Sequence, residues 1–406
     1  VIVLDVSRLL ARASRATPTG IDRVELAYAQ HLIAAARPAC FARARRWGGP
    51  ALLPRPAVER YVGALALLWR EGSSVRRRAQ VRWAMLRLRL GGLRRRQRAF
   101  AVQMRGGVPK PVYLLVSHRH LEDRRMVAKL KSRHAMSFAC LIHDLIPIEF
   151  PEYARPGQDK RHRRRIDTAA ALADAVIVPS AATGTALRPY VERAGRTIPV
   201  LIAPFGVDLA PADGKGSLPD RSYFVCLGTI EPRKNHLLLL NLWRDLVAER
   251  GDKTPTLVLI GRRGWEIENT VDMLDRCPAL RGILSERSEL SDRDTVWLLR
   301  NAQALLLPSF AEGFGFPLVE ALASGTPVLA SDIPALREIG GGVPEYLDPL
   351  DGAAWRAAIS EYSLAPSARR EAQLQRLAHW QQPRWADHFA AIETLVAGLA
   401  ADARSR

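Results

Sequence analysis

Two glutamates eight residues apart, Glu312 and Glu320, bracket the run Gly313-Phe-Gly-Phe-Pro-Leu-Val319, and a cationic pair, Arg233-Lys234, stands earlier in the chain. A carboxylate accepts hydrogen bonds from hydroxyls. Neighbouring Arg and Lys side chains hold phosphate, the first through a bidentate fork and the second as a mobile point charge. Gly313 and Gly315 keep side chains out of the loop between the acids, while Phe314 and Phe316 alternate with them. Acids near a helix start have a bland reading as partners of its dipole, worth roughly 0.3–1 kcal/mol each. That covers Glu320 and leaves the alternation of glycine and aromatic residues unexplained.

The elements around these residues follow from their neighbours. Ala304 to Leu307 predicts a buried parallel strand, Pro317 the first position of a short helix, Gly325 its end, and Pro327 to Ala330 the next strand. Glu312 then lies before the helix and Glu320 in its first turn. Strand, glycine loop and helix start predict an anion site, since unpaired N–H groups and the positive end of the dipole point the same way. The same order recurs in Tyr223–Leu227, Gly228-Thr-Ile-Glu-Pro-Arg-Lys-Asn235 and a Leu-rich helix from about His236 to Val247, which makes a candidate diphosphate site. Lys234 and Glu312 are expected to face a solvated cleft.

Glu312-Gly-Phe-Gly-Phe-Pro-Leu-Val-Glu320 resembles the paired-glutamate signature of retaining glycosyltransferases of the GT-B fold, of the family 4 or "group 1" type that includes bacterial mannosyltransferases. The resemblance implies two doubly wound Rossmann-like α/β domains facing each other across a cleft. It implies that Glu312 contacts the donor sugar and that Glu320 binds the nucleotide ribose. Arg233 and Lys234 would lie on the donor diphosphate. His143, which opens His143-Asp144 at the end of a strand, would sit close to the donor sugar, and the Thr19-Gly20-Ile21 turn near the donor phosphates. The donor-binding set is completed by Gly228, Gly261, Gly313, Phe314, Gly315, Phe316, Leu318 and Val319, with Ser288 in a loop expected to face the base. Glu338 reads as a structural contact. The expected donor is a GDP- or UDP-sugar, no cofactor and no metal ion are expected, and the expected acceptor is a glycan or a lipid-linked sugar.

Length and composition frame these expectations. A chain of 406 residues with 48% hydrophobic residues supports two domains. The first is expected over 1–207, with a basic helical insertion near 65–105. A linker rich in Pro, Gly, Asp and Ser spans 208–222, the nucleotide-sugar domain 223–383, and a terminal helix over 384–406 crosses back to the first domain. Strands are predicted at Val1–Val6, Val112–Val116, Met136–Ile142, Ala175–Ser180 and Thr256–Ile260, with an amphipathic helix over Gly20–Leu32, and Val200–Asp208 is read as the end of the first domain. No apolar run approaches the roughly 20 residues of a membrane span, and Val1 opens directly into a strand, so no signal peptide is expected. Cys40, Cys140, Cys226 and Cys277 have no metal-ligand spacing and read as reduced, mostly buried thiols of a cytoplasmic protein.

The net charge is +19, and of 60 basic residues seven are Lys and 53 Arg. From Leu65 to Phe100, Trp69, Val75, Trp83, Leu86 and other apolar residues are interleaved with arginines that include Arg76, Arg77, Arg78, Arg82, Arg94, Arg95, Arg96 and Arg98. This stretch reads either as a solvated basic face or as a surface for anionic lipid with its tryptophans at the interface. Nucleic acid is not expected, because no binding motif accompanies the charge. The expected activity is transfer of mannose or another hexose in bacterial polysaccharide assembly, at the inner face of the plasma membrane. A sugar-nucleotide epimerase of similar fold and a non-catalytic basic scaffold are the rival readings.

Overall fold

The computed structural model of the chain describes residues 1–35, 38–44, 50–89, 100, 110–214 and 216–401. It divides into two compact units. The first comprises Val1–Glu149, Pro156–Phe205 and Arg384–Arg406, and the second Phe150–Arg155 and Gly206–Pro383. The short segment Phe150–Arg155 thus packs with the second unit, although its sequence neighbours on both sides lie in the first.

The first unit is built on a sheet of seven strands in the order β3-β2-β1-β4-β5-β6-β7. These are β1 (Ile2–Asp5), β2 (Ala39–Arg43), β3 (Ala51–Leu53), β4 (Val112–Leu115), β5 (Ser137–Leu141), β6 (Ala175–Val178) and β7 (Val200–Ile202). All neighbours are parallel except β2 and β3. Buried on both faces, β1, β4, β5 and β6 are unbroken apolar or small runs, which is why the sequence pattern found them. The pattern missed β2, whose Ala39-Cys-Phe-Ala-Arg43 run is mostly small residues ending in an arginine, and the edge strand β3, which has only three residues.

Helices α1 (Ser7–Ala11) and α2 (Gly20–Ala34) follow β1, and α3 (Arg55–Glu71) and α4 (Val75–Arg89) follow β3. The terminal helix, Trp385–Ala401, packs within this unit: His388 Nε2 is 2.8 Å from the Tyr28 hydroxyl, and Phe389 stacks on His31. Of the basic insertion, Leu90 and Arg94 to Arg98 lie outside the described residues, and its described part comprises the end of α3, α4 and the helical, buried Phe100. Among the described residues no helix is long and apolar enough to cross a membrane.

The second unit has six parallel strands in the order β10-β9-β8-β11-β12-β13. They are β8 (Tyr223–Leu227), β9 (Thr256–Ile260), β10 (Leu284–Arg287), β11 (Leu305–Leu307), β12 (Val328–Ser331) and β13 (Glu345–Leu347). The helix His236–Arg250 buries Leu239, Leu240, Trp243 and Leu246 on the core side. Trp243 keeps its indole N–H satisfied there by donating to the Pro255 carbonyl at 2.8 Å. Strand order reverses between β8 and β11, so the loops leaving those two strands open side by side, the usual place for a ligand in an open α/β sheet.

Candidate active site

The loops after β8 and β11 bring Arg233, Lys234 and Glu312 together. Glu312 accepts hydrogen bonds from Lys234 Nζ, from Ser309 Oγ at 2.8 Å and from Arg233 Nη1 at 2.9 Å. Arg233 also pairs through Nε with Glu231 at 2.6 Å and donates to the Ala311 carbonyl at 2.9 Å. The Phe310 amide donates to the Arg233 carbonyl at 2.8 Å, which ties the two loops through the backbone as well. Side-chain exposure is only 6% for Glu312 and 7% for Lys234. The expectation that both face open solvent is therefore corrected: a buried charge is stable only when paired and hydrogen-bonded, and these two satisfy each other. Burial alone would raise the Glu312 pKa, but the charges of Lys234 and Arg233, with hydrogen bonds from Lys234 and Ser309, outweigh it and bring the carboxyl down to about 2.

Glycines let these loops approach. Gly228 has φ +146°, and a Cβ there would stand 3.4 Å from Lys234 Cε. At Gly261 a Cβ would fall 1.8 Å from the Gly228 carbonyl oxygen, so any side chain would drive the β8 and β9 loops apart. Gly315, at φ +90°, precedes the helix Phe316–Ala323.

That helix corrects part of the sequence reading. It starts at Phe316, which places Glu320 in the middle rather than in the first turn. Pro317 has no amide hydrogen, and the Leu318 and Val319 amides donate to the Gly315 carbonyl at 3.0 and 3.3 Å. Few first-turn donors are left for an anion, and the cations become the main candidates for that task. The Leu318 and Val319 side chains are fully buried in the core, and Phe314 is 4% exposed and packs edge-on to Phe316, so these three support the loop from beneath. Gly313 lies beside Glu312 at the loop's apex. Ser288 is exposed just beyond β10, and Glu338 is exposed on the helix Pro334–Gly340.

His143 and Gly20 belong to the first unit. The His143 amide donates to His118 Nε2 at 3.2 Å, and its own Nε2 lies 2.9 Å from the Val116 carbonyl. Nε2 therefore carries the proton and Nδ1 the lone pair. Burial pushes the ring's pKa down to about 4, so it works as a neutral imidazole. Asp144 accepts from the Ile146 amide, and its carbonyl lies 2.9 Å from His162 Nε2. Gly20 opens α2 behind Thr19, whose backbone N–H and hydroxyl both donate to Asp22, at 2.9 and 2.7 Å. Arg8 joins them through Nε to Asp22 at 2.6 Å and Nη2 to Thr19 at 3.1 Å.

Sequence reasoning missed Glu231, which stands inside the quoted Gly228–Asn235 run, and Ser309, three residues before Glu312. Their role depends on partners across the fold, which local patterns do not show. Among the described residues no group of three or more His, Cys, Asp or Glu is placed to hold a metal ion.

Residues 221–363 match the family described as "Glycosyl transferases group 1". Over 225 residues the chain is 29% identical to the serotype-specific mannosyltransferase WbdA of Escherichia coli, covering 51% of this chain and 27% of that protein. Over 175 residues it is 34% identical to the O-antigen chain mannosyltransferase B of Escherichia coli, covering 43% and 45%. It thus spans less than half the length of these relatives. The solved structure of Anabaena Alr3699/HepE in complex with UDP-glucose overlays 98% of this chain and 99% of that one, with a TM-score of 0.63 at 14% identity. The fold is the expected GT-B fold.

Proposed function

We propose that this chain, whose residues 221–363 are a glycosyl transferases group 1 domain in a GT-B fold, moves a hexose from a nucleoside-diphosphate sugar to a glycan or lipid-linked acceptor, with retention at the anomeric carbon and without a metal ion. The observation that carries this reading is the buried cluster of Lys234, Arg233 and Glu312 at the strand switch of the second unit. The names of the relatives favour mannose and O-antigen-type polysaccharide, whereas the overlaid structure holds UDP-glucose.

The chemistry follows from the charges. Breaking the bond between the anomeric carbon and the leaving phosphate oxygen puts negative charge on the diphosphate and positive charge on the sugar. Arg233 and Lys234 stabilise the first by preorganised electrostatics. Before a donor enters, Glu231 and Glu312 balance the two cations and fix their positions. A diphosphate takes over the cations, and Glu312 turns its acceptors to the sugar hydroxyls. The acceptor hydroxyl attacks from the face the phosphate leaves, and its proton passes to the leaving phosphate. Glu320 binds the ribose, so Glu320→Ala should chiefly weaken affinity for nucleoside diphosphate. Unchanged affinity removes that role.

A panel of nucleotide-sugars, offered with and without a membrane extract, tests the proposal. Released nucleoside diphosphate with a glycosylated product supports it. A converted but untransferred sugar points to an epimerase, and no reaction with any donor to a scaffold. Loss of transfer in EDTA with recovery in Mg²⁺ or Mn²⁺ would overturn metal independence.

The lipid-linked acceptor is supported by α4. Its inner stripe, Val81, Met85 and Leu88, is buried, while Val75 is 88% exposed and Trp83 58% exposed on the other side. Val75, Arg78, Ala79, Arg82, Trp83 and Leu86 line a cavity of about 620 Å³. Apolar residues ringed by arginines suit an anionic membrane surface. Trp69 does not take part, contrary to the sequence reading: it is 2% exposed, and its indole N–H donates to the Arg15 carbonyl at 3.1 Å.

A further inference from the structure

Phe150–Arg155 packs onto the loops that build the Glu312 cluster. It begins as a tight 3-10 turn, Pro151–Tyr153, closed by the Tyr153 and Ala154 amides donating to Phe150 and Pro151, both at 3.1 Å. Tyr153 stacks face to face on Phe310, with ring centroids 5.3 Å apart and planes 8° from parallel, and Phe150 stacks behind it at 6.0 Å. Phe310 is the residue whose amide is bonded to the Arg233 carbonyl, and the next residue, Ala311, accepts from the Arg233 side chain. Two residues on, the Arg155 guanidinium lies 4.9 Å over the ring of Trp265. Trp265 follows Gly264, whose amide donates to the Ile230 carbonyl at 2.8 Å, next to Glu231. One six-residue segment therefore braces both loops that present the charged cluster.

We infer that Tyr153 is a positioning residue for Arg233 and Glu312, acting through the flat face of Phe310 and not through its hydroxyl. Offset aromatic stacking fixes a ring in orientation as well as depth. Here the fixed ring sets the peptide that carries Arg233's two contacts. Among the described residues the Phe310 amide and the Ala311 carbonyl tie this loop to Arg233, so loss of the stack lets the Phe310–Glu312 stretch shift against that residue. A shift of that size is costly only if the cluster performs chemistry, so the effect on turnover rests on the donor-site reading, while the effect on the loop does not.

Two measurements on the full chain separate these. Backbone hydrogen exchange without added substrate should show faster exchange of the Phe310 amide in Tyr153→Ala, wild-type protection in β8 and β9, and wild-type exchange throughout in Tyr153→Phe. With the donor found in the panel, Tyr153→Ala should lower kcat by about ten- to a hundredfold with a smaller change in KM, and Tyr153→Phe should restore it. Tyr153→Leu, which keeps an apolar side chain without a flat ring, should behave as the alanine variant does. Unchanged exchange at Phe310 in Tyr153→Ala, failure of Tyr153→Phe to rescue, or loss of protection across the whole unit in both truncations overturns the inference. Altered exchange in a chain that turns over no nucleotide-sugar would leave Tyr153 in place as a brace and remove the proposed function instead.

Discussion

Each unit buries a glutamate where its strand order reverses, and the two are kept in opposite ionisation states. In the second unit, Glu312 meets two cations and stays ionised down to a pH of about 2. In the first, the reversal lies between β1 and β4, and Glu25 on α2 is wholly buried beside it. Its Oε1 accepts from the Leu9 amide at 2.9 Å, and Oε2 has no partner. Burial, with Asp5 nearby, outweighs the Leu9 amide, the Ser117 hydroxyl and the charge of Arg8 and pushes the Glu25 carboxyl up to about 8. Asp5 meanwhile accepts from the Ser7 amide and the Tyr113 hydroxyl. The same topology thus yields a glutamate kept ionised in one unit and a glutamate kept protonated near neutral pH in the other. What differs is what the cations bond: Lys234 and Arg233, from the 3-10 turn Pro232–Lys234, pair with Glu312 directly, whereas Arg8 in the first unit pairs with Asp22.

The largest effect should come from breaking the charged side of this contrast. Lys234→Ala leaves Glu312 buried with Arg233 alone, and loss of one member of a buried pair costs about 3–5 kcal/mol. The second unit should lose about that much in urea denaturation, and transfer should fall to background. Replacing both partners by apolar residues of similar size, Lys234→Met with Glu312→Leu, should recover most of the stability and none of the activity. If the double variant stays as unstable as the single one, the pair is not what holds these loops.

Part of this contrast was legible in the sequence. Tyr223–Leu227 and the Leu-rich helix from His236 stood out because a parallel strand buried on both faces is an unbroken apolar run and the leucines of the helix crowd its first turns. The charged residues of the second site stood out because glycines surround them. Their burial did not, since Lys234 and Glu312 are separated by 78 positions and only the fold brings them together. Glu25 was invisible for a different reason: in an amphipathic helix one Glu looks like any solvated residue, and its burial depends on how α1 and α2 pack. Periodicity also failed to separate Trp69 from Trp83, because the two lie on different helices, α3 and α4, and nothing local says which face of either turns inward.

The neutral side of the contrast predicts a pH dependence of opposite sign to that of Glu312. Because the folded pKa of Glu25 is raised, its contribution is complete below the unfolded value of 4.5 and is lost as pH rises towards about 8. In that interval the first unit should lose about 1.4 kcal/mol per pH unit, so roughly 3 kcal/mol between pH 6 and pH 8. Glu312, with its pKa lowered, contributes above 4.5 and loses that contribution as pH falls towards about 2. Glu25→Gln should flatten the alkaline fall and leave the acid limb unchanged. A difference between wild type and Glu25→Gln that does not grow from pH 6 to pH 8 would show that Glu25 is ionised in the fold.

The smallest effects lie on the exposed face of α4 in the first unit. Arg78 and Arg82 stand beside exposed Trp83 on α4, and each Arg near an anionic bilayer is worth about 1 kcal/mol, screened over about a Debye length. The full chain should therefore sediment with anionic liposomes and not with neutral ones, and less as salt rises. Arg78→Gln with Arg82→Gln should weaken this by about 2 kcal/mol, close to a thirtyfold change in partition, and Trp83→Ser should weaken it further. Trp69→Phe should lower stability without altering sedimentation, because that ring is enclosed and bonded to Arg15. Equal binding to neutral vesicles, or a Trp69 variant that loses binding while Trp83→Ser keeps it, would mean that the outer face of α4 is a solvated basic surface and would favour a soluble glycan as acceptor.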